Sequence, residues 1–329
     1  MATKRGSLTS LLEKQPPSSR THHLVPLHED GLGTATDVPF ILVRGAHPGP
    51  VLGISAAVHG DELNGIRIIH EVVDTLDLAT LRGSLVCAPI ANVPAFRQGT
   101  RRFRDGSDLN HAFPGKKTGR MAEQYALAFS RAFLPGLAGL IDVHTASGGR
   151  VNSFYARADL LDPTVRPVAD AVNPDILLHV RGGDGTLRNA ARRRGIPAVT
   201  VEAGNPRAFQ RTMVDDGVRG VRNVMRVLGL MDGDQEIDNQ TIVCAKSSWL
   251  YTTRGGLLDL RVRLAQRVEA DAVLAVLRDP FGNVVDTLLA PHDGVIIGMA
   301  RDPVAVPGTR YVHLGRIGDP AESSEEVDA

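Results

Sequence analysis

The stretch VLGISAAVHGDELNGIRIIHEVVDTL, residues 51–76, decides the fold. Its first eight residues are almost wholly apolar and show no polar face, which suits a strand covered on both sides, as in a parallel sheet. The period then changes, with Ile66, Ile69, Val73 and Leu76 recurring at helical spacing. Between the two lies His59-Gly60-Asp61-Glu62. In open α/β sheets ligands bind just beyond the carboxyl ends of strands, so chemistry is expected at this junction.

The alternation continues downstream. Residues 84–90 read as a strand, 121–133 as a helix with Tyr125, Phe129 and Phe133 in a stripe, and 139–143 as a strand. Residues 186–194 read as a helix, 197–201 as a strand and 216–228 as a helix. The expectation is an α/β domain over 21–232, with a mixed, largely parallel sheet flanked by helices. MDGDQEIDNQ (231–240) is polar and turn-prone, a linker by composition. Beyond it come short β-type runs at 257–262, 272–277, 284–289, 294–297 and 311–314. These predict a small all-β sandwich or barrel over 240–318. Residues 1–20 read as a loosely ordered arm and 319–329 as an acidic tail.

Lys+Arg and Asp+Glu balance at 37 each, so no long-range attraction to nucleic acid or an anionic membrane is expected, and a small-molecule ligand is the default partner. Homo-oligomerisation is left open by the sequence. No signal-peptide core and no run near ~18 apolar residues is present, which reads as a soluble, cytoplasmic protein. Cys87 and Cys244 lie far apart in apolar runs and read as buried packing residues in a reducing compartment.

Four pieces carry chemistry. His59 and Glu62, three residues apart at a strand-to-helix turn, can present an imidazole nitrogen and a carboxylate oxygen to one point, a donor set suited to zinc. The bland alternative is a helix start in which Asp61 and Glu62 complement the dipole. His144 closes the run Ile141-Asp142-Val143-His144, and Asp142 on the same face could orient it. Two histidines and one carboxylate leave a position open for water, whose pKa a catalytic zinc lowers toward ~7. Glu202 ends the apolar run 198–201 and is the candidate general base and acid, the alternative being an ion pair with a neighbouring arginine. The loop DGSDLNHAFPG (105–115), with Arg101, Arg102 and Arg104 before it, can clamp a carboxylate or be a solvated basic loop.

Taken in this order, GAHPGPVLGISAAVHGDELNG (45–65), DLNHAFPG (108–115), IDVHTA (141–146) and VEAGN (201–205) resemble the succinylglutamate desuccinylase/aspartoacylase family, relatives of the zinc carboxypeptidases; DPFGN (279–283) and PHDGVIIG (291–298) extend the likeness weakly. The resemblance implies a phosphorylase/hydrolase-like core, one zinc per chain, and hydrolysis of an N-acyl amino acid. It places the metal ligands on His59, Glu62 and His144, the catalytic glutamate on Glu202 and a substrate-binding asparagine on Asn110. The family's upstream arginine is placed on Arg102, with Arg101 and Arg104 as alternatives. Where the family has Asn-Arg, this chain has Asn110-His111. A protonated histidine binds an anion only as a single-point donor. Either the substrate is less anionic than acetylaspartate or succinylglutamate, or another arginine has taken over, Arg188 first among the candidates. Trp249 and Tyr251 are candidates for the cavity mouth. The competing functions are a carboxypeptidase-like metallopeptidase and a non-catalytic binding protein on the same scaffold.

Overall fold

In the computed structural model, which describes residues 7–183, 185–238 and 240–322, a short helix, α1 (Leu8–Leu12), precedes an antiparallel hairpin, β1 (Ser19–Glu29) and β2 (Ala35–Arg44). The unit around His59 follows as β3 (His47–Ala56) and α2 (Asn64–Asp74). Next come β4 (Arg82–Ala88), α3 (Val93–Gln98), a 3-10 turn at Leu109–His111, α4 (Met121–Phe133) and β5 (Gly139–His144). The α/β part continues with β6 (Arg150–Asn152), β7 (Phe154–Ala158), α5 (Arg166–Ala171), β8 (Ile176–His179), α6 (Leu187–Arg192), β9 (Ala198–Ala203) and α7 (Arg211–Val227). Beyond it lie β10 (Ile242–Tyr251), β11 (Gly256–Leu260), β12 (Arg267–Val268) and β13 (Val273–Arg278). The last strands are β14 (Val284–Leu289), β15 (Gly294–Ala300), β16 (Val304–Ala305) and β17 (Arg310–Ile317).

The apolar runs sit where their lack of a polar face requires. β4, β3, β5 and β9 are neighbours and run parallel at the centre of a 13-stranded sheet, and every residue of β5 and β9 is buried. One face is covered by α2, α5 and α7, the other by α1, α3, α4 and α6. The stripe Tyr125, Phe129 and Phe133 packs wholly buried on the second face.

The C-terminal strands make a two-layer unit. β14-β13-β11-β16 form a separate four-stranded sheet, packed through Leu258, Leu274, Leu277, Val312 and Leu314 against β17 and β15. The outer layer is not detached from the α/β part, because β10 pairs in parallel with β8 (Ile242↔Ile176, Cys244↔Leu178) and carries the large sheet onward into β17, β15 and β12. β10 itself escapes a sequence reading because its Lys246-Ser247-Ser248 interrupts the apolar pattern.

The expected loose arm needs correction over residues 7–20. Leu8 and Leu12, one helical turn apart, are buried, Ser7 caps the helix, and Thr9 Oγ1 donates to Pro135 O at 2.9 Å. Two leucines carry this anchoring, too few to stand out beside the polar run that follows. Residues 1–6 and 323–329, which include most of the acidic tail, lie outside the described residues. Both cysteines are buried and unpaired, and burial pushes each thiol up to about 12, so neither is a reactive thiolate. No described helix is long and apolar enough to cross a membrane.

Candidate metal centre and active site

Three strand ends build the cluster. After β3, Ala57 adopts a positive φ of 50° and the chain turns, with Glu62 N donating to His59 O at 3.1 Å. Gly60 inside this turn must lack a side chain: a Cβ there would lie 2.2 Å from the Ala95 carbonyl carbon and the Phe96 nitrogen. The turn therefore presses on the start of α3 and aims His59 and Glu62 the same way. His144 ends the adjacent β5, and Glu202 stands opposite it in register on β9.

The geometry within the cluster is close, and its three side chains are buried. His59 Nδ1 lies 2.9 Å from Glu62 Oε1, His144 Nδ1 lies 3.0 Å from Glu62 Oε2, and the two Nδ1 atoms are 3.2 Å apart. Glu62 is only 1% exposed. The far nitrogen of each ring is tied to a carboxylate: His144 Nε2 donates to Asp142 Oδ2 and His59 Nε2 to Asp108 Oδ1, both at 2.9 Å. Asp142 is in turn held by Ser55 Oγ at 2.7 Å. A carboxylate accepts only, so the protons of the neutral rings sit on Nε2 and both Nδ1 lone pairs face the centre. Two imidazole lone pairs and a carboxylate meeting within 4.8 Å of one another, with each ring backed by a carboxylate, is an arrangement that fits a divalent cation.

Without a metal ion the same centre attracts protons onto the imidazoles, which a bound cation would displace. Burial opposes the ionised form of Glu62, yet His59 and His144 outweigh it and hold its carboxyl well below the usual range. Burial likewise opposes a charge on His144, but Asp142 and Glu62 more than offset this and raise its pKa well above the ordinary value. The cluster attracts positive charge to its centre.

A cavity of about 610 Å³ opens onto these residues. Its floor holds Glu202, 8% exposed, whose Oε2 accepts from Asn152 Nδ2 at 3.2 Å. The anticipated arginine partner exists only at longer range, Arg157 Nε standing 3.7 Å from Oε1 while it donates to Tyr155 Oη. Of the three arginines before the loop, Arg101 enters the site: it donates to Glu62 Oε1 at 2.7 Å and Asp108 Oδ2 at 3.1 Å. Arg102, the favoured position from sequence, lines the cavity but donates to Gly106 O at 2.8 Å. Phe103 is buried between them and the Gly106 turn, and neighbouring residues on such a loop take opposite sides.

Asn110 and His111 both line the cavity, Asn110 with its Oδ1 occupied by Leu187 N at 3.1 Å and His111 exposed. Arg188 lines the cavity but is buried, donates to Val180 O at 2.9 Å, and leaves Nε without a partner among the described residues. Burial, with the nearby charge of Arg157, lowers its pKa to about 10. Trp249 reaches the cavity from β10, stacked on His313 at 4.9 Å, with the Arg150 and Arg310 guanidiniums 5.3 and 5.9 Å from its ring. Tyr251 is half exposed, under Arg310, and is not among the lining residues. Asn152, Arg150, Arg157 and Arg310 were missed in sequence, and no motif marks them.

An open α/β sheet with a convergent His/Glu/His group and a buried carboxylate at its strand ends has the make-up of a hydrolase. Residues 48–228 match the succinylglutamate desuccinylase/aspartoacylase catalytic domain, and the chain belongs to that family of deacylases. It is similar to the N-alpha-acetyl-L-2,4-diaminobutyric acid deacetylase of Halomonas elongata, 26% identical over 288 residues and 83% of each chain. Among solved structures, a product-bound ectoine utilization protein from Ruegeria pomeroyi superposes with a TM-score of 0.82 at 22% identity, covering 92% of this chain and 98% of that one. A succinylglutamate desuccinylase from Silicibacter gives 0.80 at 23% identity, covering 93% and 98%.

Proposed function

We propose that this chain is a zinc-dependent deacylase that hydrolyses the amide bond of an N-acyl amino acid or a similar small amide. The observation that carries the reading is the convergence of His59 Nδ1, His144 Nδ1 and the Glu62 carboxylate next to Glu202 in one cavity. Family membership and the deacetylase from Halomonas elongata support amide hydrolysis as the chemistry.

His59, Glu62 and His144 would hold the ion, and Asp108 and Asp142 accept from the Nε2 atoms, which would leave each Nδ1 to it. When bound, zinc supplies Lewis acidity, lowering the pKa of a water toward ~7 and polarising the amide carbonyl. Glu202 takes the proton from the attacking water oxygen and returns it to the leaving amine nitrogen. Arg101, beside Glu62, offers a fixed guanidinium to the oxygen on which negative charge develops. Substrate contacts fall to Asn110, His111, Arg102 and Arg188, joined by Arg150 and Arg310, which lie over Trp249 in the same cavity. Neither of those last two forms an ion pair among the described residues, which favours the reading in which other guanidiniums replace the arginine lost at His111. Two buried, unpaired thiols suit a cytoplasmic setting.

The test is a hydrolysis screen against N-acetyl, N-succinyl and N-formyl amino acids, with metal analysis of the purified protein. Chelation should abolish turnover and zinc restore it. Glu202→Gln should keep the metal and lose turnover by ~10²–10⁴. A metal-free protein that gains no activity with zinc, or one cleaving tripeptides as fast as N-acyl amino acids, would remove the proposal.

A further inference from the structure

We infer that Asn152 is a positioning residue for the Glu202 carboxylate, and that β15 of the C-terminal unit sets its orientation through Gly298. The inference rests on the proton-transfer role proposed for Glu202. Among the described residues, Asn152 supplies the single hydrogen bond to that carboxylate, Nδ2 to Oε2 at 3.2 Å, and both side chains are buried. The torsion that turns a glutamate carboxylate is broad, so without this donor the group can rotate away from the proton it must take. A general base works only within hydrogen-bond reach of its proton, and small misplacements cost rate steeply.

What aims Asn152 comes from far along the chain. β6 is three residues long and pairs with β15 in the register Asn152↔Gly298, Val151↔Met299 and Arg150↔Ala300. A Cβ on residue 298 would stand 2.5 Å from Asn152 Oδ1 and 3.1 Å from Val151 O. The bare Cα thus leaves room for the amide oxygen on the β15 side and directs the amide N–H toward Glu202. The opposite amide orientation would set two acceptors, Oδ1 and Oε2, against each other. β15 therefore bears on the reacting carboxylate through one side chain, although it contributes no group to the chemistry.

The experiment compares wild type, Asn152→Ala, Gly298→Ala, the double variant and Glu202→Gln on the N-acetyl amino acid turned over fastest in the screen. It reads kcat and KM separately, with zinc content and melting temperature. Asn152→Ala should lower kcat about tenfold or more, the scale of a hydrogen bond to a charged group, at near-constant KM and zinc content. Gly298→Ala should lower kcat in the same way, and the double variant should fall no further than Asn152→Ala, because one side chain carries both effects. The near-isosteric Asn152→Asp guards against loss of folding on truncation, and should lower kcat at least as far by placing a second acceptor at Oε2. Wild-type kcat in Asn152→Ala, or losses that multiply in the double variant, would overturn the inference while an inactive Glu202→Gln leaves the role of Glu202 standing. An active Glu202→Gln would remove that role and the inference with it.

Discussion

His144 Nε2 donates to Asp142 Oδ2 at 2.9 Å, from two residues further along the same strand, so β5 carries both a donor for the cluster and the group that selects its tautomer. Asp142 is fully buried and accepts a further bond from Ser55 on the neighbouring strand. Asp142→Asn keeps the shape and removes the charge. It is expected to weaken zinc binding ~10–100-fold, the usual cost of losing a group that backs a ligating histidine. Competition against a fluorescent chelator measures this, and unchanged affinity would show that Asp142 plays no part in the metal site.

His111 stands exposed and lines the cavity, at the position where the family resemblance leads to an expectation of arginine. His111→Arg restores a two-pronged donor, and should raise kcat/KM about tenfold on N-acyl amino acids with an additional carboxylate. Neutral N-acyl amino acids should respond little. Unchanged kinetics across the whole set would mean that this position does not touch substrate.

The backbone at Gly60 lies against Ala95 and Phe96 so closely that Gly60→Ala forces the His59 turn to move. The expected loss is ~1–3 kcal/mol of folding stability, read by denaturant titration, together with poorer zinc uptake. A variant as stable as wild type would show that the turn has slack.

His313 is buried under Trp249; burial, with the charges of Arg157, Arg310 and Arg150, pulls its pKa down to about 3 from 6.5. Between those values the unfolded chain binds the extra proton and the native chain does not. Stability should therefore fall as pH drops through this window, by up to ~1.4 kcal/mol per pH unit from this residue. His313→Gln, compared with wild type by chemical unfolding at several pH values in that range, should flatten the slope. Parallel slopes for the two proteins would rule the contribution out.

The central α/β pattern was legible because the second half of β3 and all of β5 and β9 are buried, which leaves the runs 51–58, 139–143 and 198–201 mainly apolar. For the same reason His59, His144 and Glu202 stand out, each a titratable group at the carboxyl end of such a run. Arg101 and Arg102 could not be separated, since adjacent loop residues differ only in the side to which Phe103 anchors them. Asn152 and Arg157 were invisible for a different cause. They lie in short strands of mixed polarity, and reach the cavity through pairing with β15 and β9, elsewhere in the chain. The C-terminal layers were legible as β structure, but a parallel join such as β8 to β10 leaves no local mark in sequence.

That join bears on how relatives could be recombined. β8 and β10 share a ladder of backbone hydrogen bonds, so a chimera spliced near residue 240 would exchange not a tethered module but four strands of a continuous sheet. The bare strand edges left by a mismatched splice invite misassembly. Diversity in what the cavity accepts is more safely sought by substituting His111 and Thr186, which line it from outside the sheet.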